Sequence, residues 1–460
     1  MFFVSHGVAT RRAPVVPRGG LRTGDAARER LKTQAGPSPR EMTHPALRVR
    51  PAGSFLQGDL PTGCALCEAG AKMVLFVTGV CHYKCFYCPI SDEKRMARAT
   101  WANERRVDHA WSTRKDADAS GRLTDDLFFI AEEARAIGAK GTGITGGDPM
   151  YAPELTLRYI RFLKAEFGPR HHIHMYTQIP FEAKWLRELA EAGLDEMRFH
   201  PPDEIWPDVD AHPRYADLYR AAKRLEDEGL WAVGFEIPCL PGSTEQMSAL
   251  VAWLVKERIA FLNVNEMEFS ETNYGQLLQR GYRILDDVTM RVRDSEAVAR
   301  EVMARFAARP ISLHFCSSPF KDAIQLRQRL QRRAQRVARP HERVTEDGTL
   351  LRGIVECPDP AALSHELRAA FGLAEQQMFV DEAGKRLEVD ADALERFAGD
   401  LPYAAYVSEL YPTHDALEVE REPLNRVLYR KQMTVEGGRV VMLEEPVVSV
   451  DRRIGRPGGL

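Results

Sequence analysis

No apolar run in the 460 residues approaches the length that crosses a bilayer, so no membrane-spanning helix is expected. Neither sign of charge dominates. With 63 Lys and Arg against 66 Asp and Glu the net charge is −3, so global attraction to nucleic acid or anionic lipid is excluded and such binding needs a local patch. No internal repeat is evident. The apolar opening Met1-Phe2-Phe3-Val4 is too short for the core of a signal peptide. Without an export signal, eight cysteines in a chain this large do not read as a disulfide framework. Five of them crowd between Cys64 and Cys88, which reads as metal ligation in a reducing cytoplasm. The first forty-odd residues lack helical or strand period and are rich in Arg, Pro and Gly. Their scarcity of acidic residues suits a transit peptide, but 1–45 reads better as a disordered extension, or as an over-extended start before an initiator at Met42.

What is present begins with Cys81-His82-Tyr83-Lys84-Cys85-Phe86-Tyr87-Cys88, directly after the apolar run Met73–Val77. A C-x3-C-x2-C loop offers three thiolates, and a cubane 4Fe–4S cluster has four irons. One iron is left with open positions, where the amino and carboxylate groups of a methionine moiety can chelate and an electron can pass into its sulfonium. The alternative is a closed zinc site or a structural cluster with its fourth ligand elsewhere, although the spacing differs from the paired C-x2-C usual for zinc. The loop resembles that of the radical S-adenosylmethionine superfamily, whose pattern includes the aromatic Tyr87. The resemblance implies a 4Fe–4S cluster on Cys81, Cys85 and Cys88. It also implies reductive cleavage of S-adenosylmethionine to methionine and a 5′-deoxyadenosyl radical that abstracts hydrogen from a substrate.

From 71 to about 318 short apolar runs alternate with amphipathic ones, the signature of β/α units around a parallel sheet. Strands are expected at Lys72–Thr78, Gly141–Thr145, Ile173–Thr177, Glu196–His200, Trp231–Ile237 and Phe261–Glu268. Helices are expected at Asp125–Ile137, Glu154–Glu166, Pro180–Ala192, Tyr215–Glu228 and Thr244–Glu257, with Gly193 and Gly229 as left-handed caps. These units match the partial (β/α)6 TIM-like barrel that the resemblance implies. The predicted organisation is a CxxC-containing lead-in over 46–71, an α/β partial barrel over 72–320 and a basic linker helix over 321–341. A small α+β domain with a ferredoxin-like order of elements is expected over 342–460.

Three further stretches carry chemistry. Thr145-Gly146-Gly147-Asp148-Pro149 ends the second strand; its glycines let backbone approach a ligand, and Asp148 can accept from an ammonium group. The superfamily resemblance implies that this turn holds the methionine amino group, usually with Glu where Asp148 stands. Ile237-Pro238-Cys239-Leu240-Pro241-Gly242 is similar to a stretch of glycyl-radical-enzyme activases, which puts Glu236 near a ribose hydroxyl. Arg198 and His200 share one strand face and can reach the methionine carboxylate or the ribose, or form a surface salt bridge. Asn263, Asn265 and Glu266 are polar where a core strand should be apolar, so they are candidates for adenine or substrate contact.

Cys64-x2-Cys67 is half of a zinc or iron–sulfur site; Cys316 is a candidate third ligand, with His314 or Cys239 completing the set as an auxiliary cluster or zinc. Otherwise Cys239, Cys316 and Cys357 are small buried hydrophobes. His171, His172 and His174 sit at the wrong end of a strand for catalysis and read as structural. Arg327, Arg329, Arg332, Arg333, Arg336 and Arg339 form a strip with either intramolecular partners or RNA phosphates. Gly63–Ser91 and His314–Asp322 also resemble a group related to pyruvate formate-lyase activating enzymes. Three functions are carried forward. The first is a radical enzyme acting on a tRNA or protein, reduced by flavodoxin or ferredoxin. The second is a glycyl-radical-enzyme activase. The third is a non-catalytic iron–sulfur binding or electron-transfer module.

Overall fold

A computed structural model describes residues 47–107, 124–286 and 288–425, with the backbone of 427–436 and 439–448. The expected extension 1–45 and the alternative initiator Met42 lie outside the described residues. The lead-in contributes β1 (Arg48–Val49), β2 (Phe55–Gln57) and α1 (Thr62–Glu68), before β3 (Lys72–Phe76). After the cysteine loop, β4 (Thr100–Ala102) and β5 (Arg105–Val107) fold back antiparallel along the outer edge of β3. Then helices and strands alternate: α2 (Asp125–Ala136), β6 (Gly141–Thr145), α3 (Pro153–Phe167), β7 (His172–Thr177), α4 (Lys184–Ala192), β8 (Glu196–Phe199), α5 (Pro213–Asp227), β9 (Ala232–Cys239), α6 (Thr244–Lys256) and β10 (Phe261–Glu266). Two more helices, α7 (Tyr274–Gln279) and α8 (Ser295–Arg305), lead to β11 (Ser312–Cys316). Among the described residues no helix is long and apolar enough to cross a membrane.

The sheet runs β1-β2-β11-β10-β9-β8-β7-β6-β3-β4-β5, and every pairing from β3 to β11 is parallel. The partial barrel is therefore one strand larger than the six units expected. The apolar segment at 311–315 is that strand, with Ser312 to Cys316 in register with Phe261 to Asn265. Side-chain alternation explains why the barrel forms. Met73 and Leu75, Ile173 and Met175, Met197 and Phe199, Phe235 and Ile237 are at most 1% exposed and pack in the shell between sheet and helices. Their neighbours of opposite parity, among them Lys72, Arg198, Glu236, Asn263 and His314, line the lumen. Gly193 (φ 107°) and Gly229 (φ 79°) cap α4 and α5 as expected, and Leu194 N–H and Leu230 N–H each close back on a carbonyl at 3.0 Å. Helix α4 starts at Lys184 rather than Pro180, because the Asp148 carboxylate holds the amides of Gln178 and Ile179 in an extended segment.

Beyond β11, the basic helix opens with a π-helical turn, Lys321–Leu326, and continues as α9 (Arg327–Val337). The C-terminal region adds β12 (Arg343–Val344), β13 (Leu350–Glu356), α10 (Pro360–Phe371), β14 (Met378–Asp381), β15 (Arg386–Val389), α11 (Ala391–Glu395), β16 (Ala404–Leu410) and β17 (Glu418–Pro423). A separate hairpin pairs β18 (Val427–Glu436) with β19 (Arg439–Val448). Strands β13, β14, β15 and β16 with their two helices follow a βαββαβ path, in the antiparallel order β14-β15-β13-β16, which is the split βαβ arrangement.

The arginine strip of α9 finds its partners inside the molecule. Arg329 pairs with Glu104, and Arg332 donates to the carbonyls of Ile137 (3.1 Å) and Gly138 (2.7 Å). Arg333 pairs with Glu133 of α2 and donates to the Pro412 carbonyl. Both partners in the Arg333–Glu133 pair are below 10% exposed. Removing one member of such a pair leaves a buried charge, at a cost of about 3 kcal/mol or more. Arg333→Ala is therefore expected to lower the unfolding free energy by that amount, with a correspondingly lower urea midpoint, and to speed proteolysis between barrel and C-terminal region; an unchanged midpoint refutes this tie.

Candidate active site in the barrel lumen

The cysteine loop starts where β3 ends and is held by backbone on both flanks. Gly79 N–H donates to the Ala97 carbonyl (2.8 Å) and Met96 N–H to that of Gly79 (2.9 Å). From the far side, Asn273 Nδ2 donates to the Tyr87 carbonyl (3.1 Å) and Thr272 Oγ1 to that of Cys88 (3.4 Å). Cys81, Cys85 and Cys88 all line one cavity of about 550 Å³ inside the barrel. The Gln178 Nε2 amide reaches Cys85 Sγ at 3.4 Å. Burial pushes the Cys81 thiol up to about 11 and raises Cys85 as well, so these two thiols are protonated without metal and loading must release their protons.

Donor spacing tests what this loop can hold. A single tetrahedral zinc, with sulfur at 2.3 Å, draws its ligands to roughly 4 Å from one another. Among the described residues, only His341, Glu342 and Glu388 bring three such donor atoms within 4.8 Å of one another. The three thiols of the loop do not all lie within that distance of one another, and ligands of separate irons need not. The residues fit a cluster better than an ion.

The Gly-Gly-Asp-Pro turn lies against this loop, and packing gives its glycines a reason beyond ligand approach. A Cβ on Gly146 would come within 2.5 Å of the Thr78 carbonyl oxygen, and one on Gly147 within 2.5 Å of those of Gly79 and Val80. The glycines are needed for the turn to dock on the cysteine loop, and Gly147 N–H seals it on the Thr78 carbonyl at 2.6 Å. Asp148 is held firmly within the chain. Its buried carboxylate accepts from Met150 N–H (2.9 Å), Gln178 N–H (2.6 Å), Ile179 N–H (3.1 Å) and the Thr177 hydroxyl (3.0 Å). Through these bonds it staples β6 to β7.

Arg198 and His200 do face the lumen, but to different depths. Arg198 is 1% exposed. Its Nε donates to Glu196, and its Nη1 to Glu236 Oε2 (2.7 Å), the Tyr176 hydroxyl (3.3 Å) and Cys64 Sγ (3.4 Å). Both alternatives from the sequence, a surface bridge and a free ligand arm, give way to a buried anchor. Glu236 also takes Asn263 Nδ2 (3.1 Å) and Asn265 Nδ2 (2.9 Å). Burial alone would raise its carboxyl, yet Arg198 and the two amides bring it down to about 2. Glu236 thus accepts from Arg198, Asn263 and Asn265 together, while Asn263 Oδ1 is buried without a hydrogen-bond partner among the described residues. Glu266 accepts from Ser318 N–H at 2.8 Å. His200 sits higher: its Nδ1 contacts the Glu236 carbonyl (2.8 Å) and its Nε2 the Tyr87 hydroxyl (3.2 Å). Since a carbonyl only accepts, Nδ1 carries the proton and Nε2 accepts from Tyr87.

Helix α1 packs on the inner ends of β3, β6 and β7 and brings Cys64 and Cys67 to the same cavity as Cys316 and His314. Gly63 makes this possible: a Cβ there would meet Arg198 and His174 at 2.6 Å. Cys239 is excluded from this group, because its thiol is fully buried and donates to the Ser295 carbonyl at 2.9 Å. Cys357 is buried at 4% exposure in the core of the C-terminal sheet. His171 bonds Thr142 at 2.8 Å, in keeping with a structural role. Sequence reasoning missed Gln178, Lys72 and Gln325, which line the cavity. The strand period put Lys72 on the same face as Val74, and that was the available signal.

A model of the radical SAM superfamily matches residues 75–254, and one of a domain of unknown function matches 348–424. Over 372 residues the chain is 36% identical to a relative from Methanocaldococcus jannaschii, covering 79% of this chain and 93% of that one; its provisional name is glycyl-radical enzyme activating enzyme. Among solved structures, Streptococcus suis SuiB bound to S-adenosylmethionine shares 12% identity over 55% of this chain with a TM-score of 0.35, and the chain spans about half (53%) of its length. Methylornithine synthase shares 14% identity, with coverage of 55% and 72% and a TM-score of 0.34. Both are too distant to bear on the reaction. The matched segment takes in the three-cysteine loop and the Gly-Gly-Asp-Pro turn, and together with the M. jannaschii relative it establishes the chain as a radical S-adenosylmethionine enzyme related to pyruvate formate-lyase activases, with a 4Fe–4S cluster and S-adenosylmethionine as cofactors.

Proposed function

We propose that Cys81, Cys85 and Cys88 hold the 4Fe–4S cluster with one iron open to S-adenosylmethionine, and that the enzyme abstracts hydrogen from a protein, at a backbone glycine of a partner enzyme. The carrying observation is that the three thiols line one lumen cavity without a fourth cysteine on their loop. The name of the M. jannaschii relative supports the protein substrate. A tRNA substrate has less in its favour, since the arginines of α9 are engaged within the chain. The proposed reductant is a flavodoxin or ferredoxin.

When bound, the cluster and its cosubstrate supply the electron and the hydrogen-abstracting radical. The chain's own residues do the rest. Gly146 and Gly147 dock the neighbouring turn on the cysteine loop, and Asp148 fixes that turn to β7. Tyr87, His200 and the Glu236 carbonyl form a hydrogen-bonded series on the cavity wall, with burial keeping His200 neutral and the Tyr87 phenol protonated. Helix α1 covers the inner end of the lumen and limits water there, which protects a reactive radical from quenching. No general acid or base is required. A further part of the proposal is a second metal centre, iron–sulfur or zinc, at Cys64, Cys67 and Cys316.

Anaerobic reconstitution with iron and sulfide, followed by dithionite and S-adenosylmethionine, tests the reading. The wild type is expected to form 5′-deoxyadenosine and Cys85→Ala to fall to background. A cluster that is fully protein-ligated and indifferent to S-adenosylmethionine would sink it. Gly147→Ala is expected to fold but to lose most of its S-adenosylmethionine-responsive electron paramagnetic resonance signal, because the added methyl displaces the cysteine loop. Wild-type signal in that variant refutes the docking role.

A further inference from the structure

The inner half of the lumen holds a donor set that the radical chemistry does not use. Cys64 and Cys67 are three residues apart on α1, so they share one helix face. His314 and Cys316 are two apart on β11, so they share its lumen face. His314 pairs in register with Asn263, whose Nδ2 lies 3.0 Å from Cys64 Sγ, which draws the β11 donors beside those of α1.

His314 is the most informative member. It is 3% exposed, and neither ring nitrogen has a hydrogen-bond partner among the described residues. Leaving buried polar atoms unsatisfied is destabilising. One metal bond removes half of that deficit. The sulfurs, in turn, are met by donors: Asn263 and Arg198 (3.4 Å) on Cys64, and Gln325 Nε2 (3.5 Å) on Cys316. Amide and guanidinium groups aimed at sulfur suit thiolates bound to metal, where such bonds tune the centre. Gln325 reaches Cys316 from the π-helical turn Lys321–Leu326, a local distortion often found at functional sites. Lys72 faces the same space, and no carboxylate forms a salt bridge with it among the described residues. A group with thiolate ligands would supply the missing negative charge. The donors of Cys64, Cys67, Cys316 and His314 do not close to within 4.8 Å in threes, which again disfavours one ion.

We infer that Cys64, Cys67, Cys316 and His314 ligate a second iron–sulfur cluster with no iron left open. This inference rests on the second-centre reading above and deepens it by assigning the metal class and the fourth ligand.

The test uses full-length protein carrying Cys81→Ala, Cys85→Ala and Cys88→Ala together, reconstituted anaerobically. It should retain about four irons of the wild type's roughly eight, with a reduced-state resonance unchanged by S-adenosylmethionine. Nitrogen hyperfine coupling from a histidine ligand is expected, and His314→Ala in that background should abolish it. In the otherwise wild-type chain, Cys64→Ala with Cys67→Ala should lower iron to about four per chain and keep the cosubstrate-responsive signal. A triple variant that binds zinc or no metal, or whose cluster responds to S-adenosylmethionine, overturns the inference; so does nitrogen coupling that survives His314→Ala. The two readings fail separately. Deoxyadenosine formation by the wild type with an iron-free triple variant defeats only the second cluster, whereas an iron-loaded triple variant with an inert wild type defeats only the first.

Discussion

A single buried guanidinium organises the lumen. Arg198 is among the largest fully buried side chains, and an unpaired charge at that depth would be prohibitive. Its partners come from three barrel strands and from the lead-in: Glu196 on its own β8, Tyr176 on β7, Glu236 on β9 and Cys64 on α1. Asn263 and Asn265 complete Glu236 from β10. The network is therefore collective: taking away any one ion partner strands a charge at a cost of about 3–5 kcal/mol. It also fixes α1 in place, since Gly63 must lie flush against Arg198 and His174 for the helix to reach Tyr176 and its neighbours.

A polar lumen has consequences for where stability arises. TIM barrels fill their interior with layers of apolar side chains. Here that interior is given to charged and amide groups, so apolar burial is confined to the shell between sheet and helices. The division leaves a cavity with a wall that is rigid, already hydrogen-bonded and able to hold charge. At its outer end the wall carries the loop of Cys81, Cys85 and Cys88; at its inner end it carries Cys64, Cys67, Cys316 and His314. Between them lies the Arg198–Glu236 pair. A carboxylate held down to about 2 stays ionised throughout the working pH range, so the field along the cavity does not change with pH through that group.

Much of this was legible in the sequence wherever one residue type has one physical use. The three-cysteine loop, the strand at Gly141–Thr145 and the glycine caps at Gly193 and Gly229 were read from spacing, and the structure has the strand and both caps at those positions. Alternation showed that Arg198, His200, Asn263 and Asn265 had a common polar face, but could not show that all four would converge on Glu236. Asp148 illustrates the same limit: its partners are amides some 30 residues away, beyond any local pattern. Strand β15 and β17 escaped notice because Arg-Leu-Glu-Val is only four residues long, although its Leu387 and Val389 are buried in the C-terminal core, and Glu418–Pro423 is exposed along its length with no apolar face.

The basic helix α9 shows how composition misleads when charge is counted without partners. Six arginines between 327 and 339 read equally well as a phosphate-binding strip or as an internal clasp. Folding decides between them through geometry. Arg329, Arg332 and Arg333 turn toward the barrel, Arg327 lies 3.5 Å from Asp347, and Arg339 pairs with Glu342 and Glu388. Two of these contacts are with carbonyls at the end of α2, where the helix dipole favours positive charge. A nucleic acid would have to displace protein partners before it gained phosphates, and the buried Arg333–Glu133 pair makes that displacement unfavourable. The strip therefore ties the C-terminal region to the outer surface of the barrel.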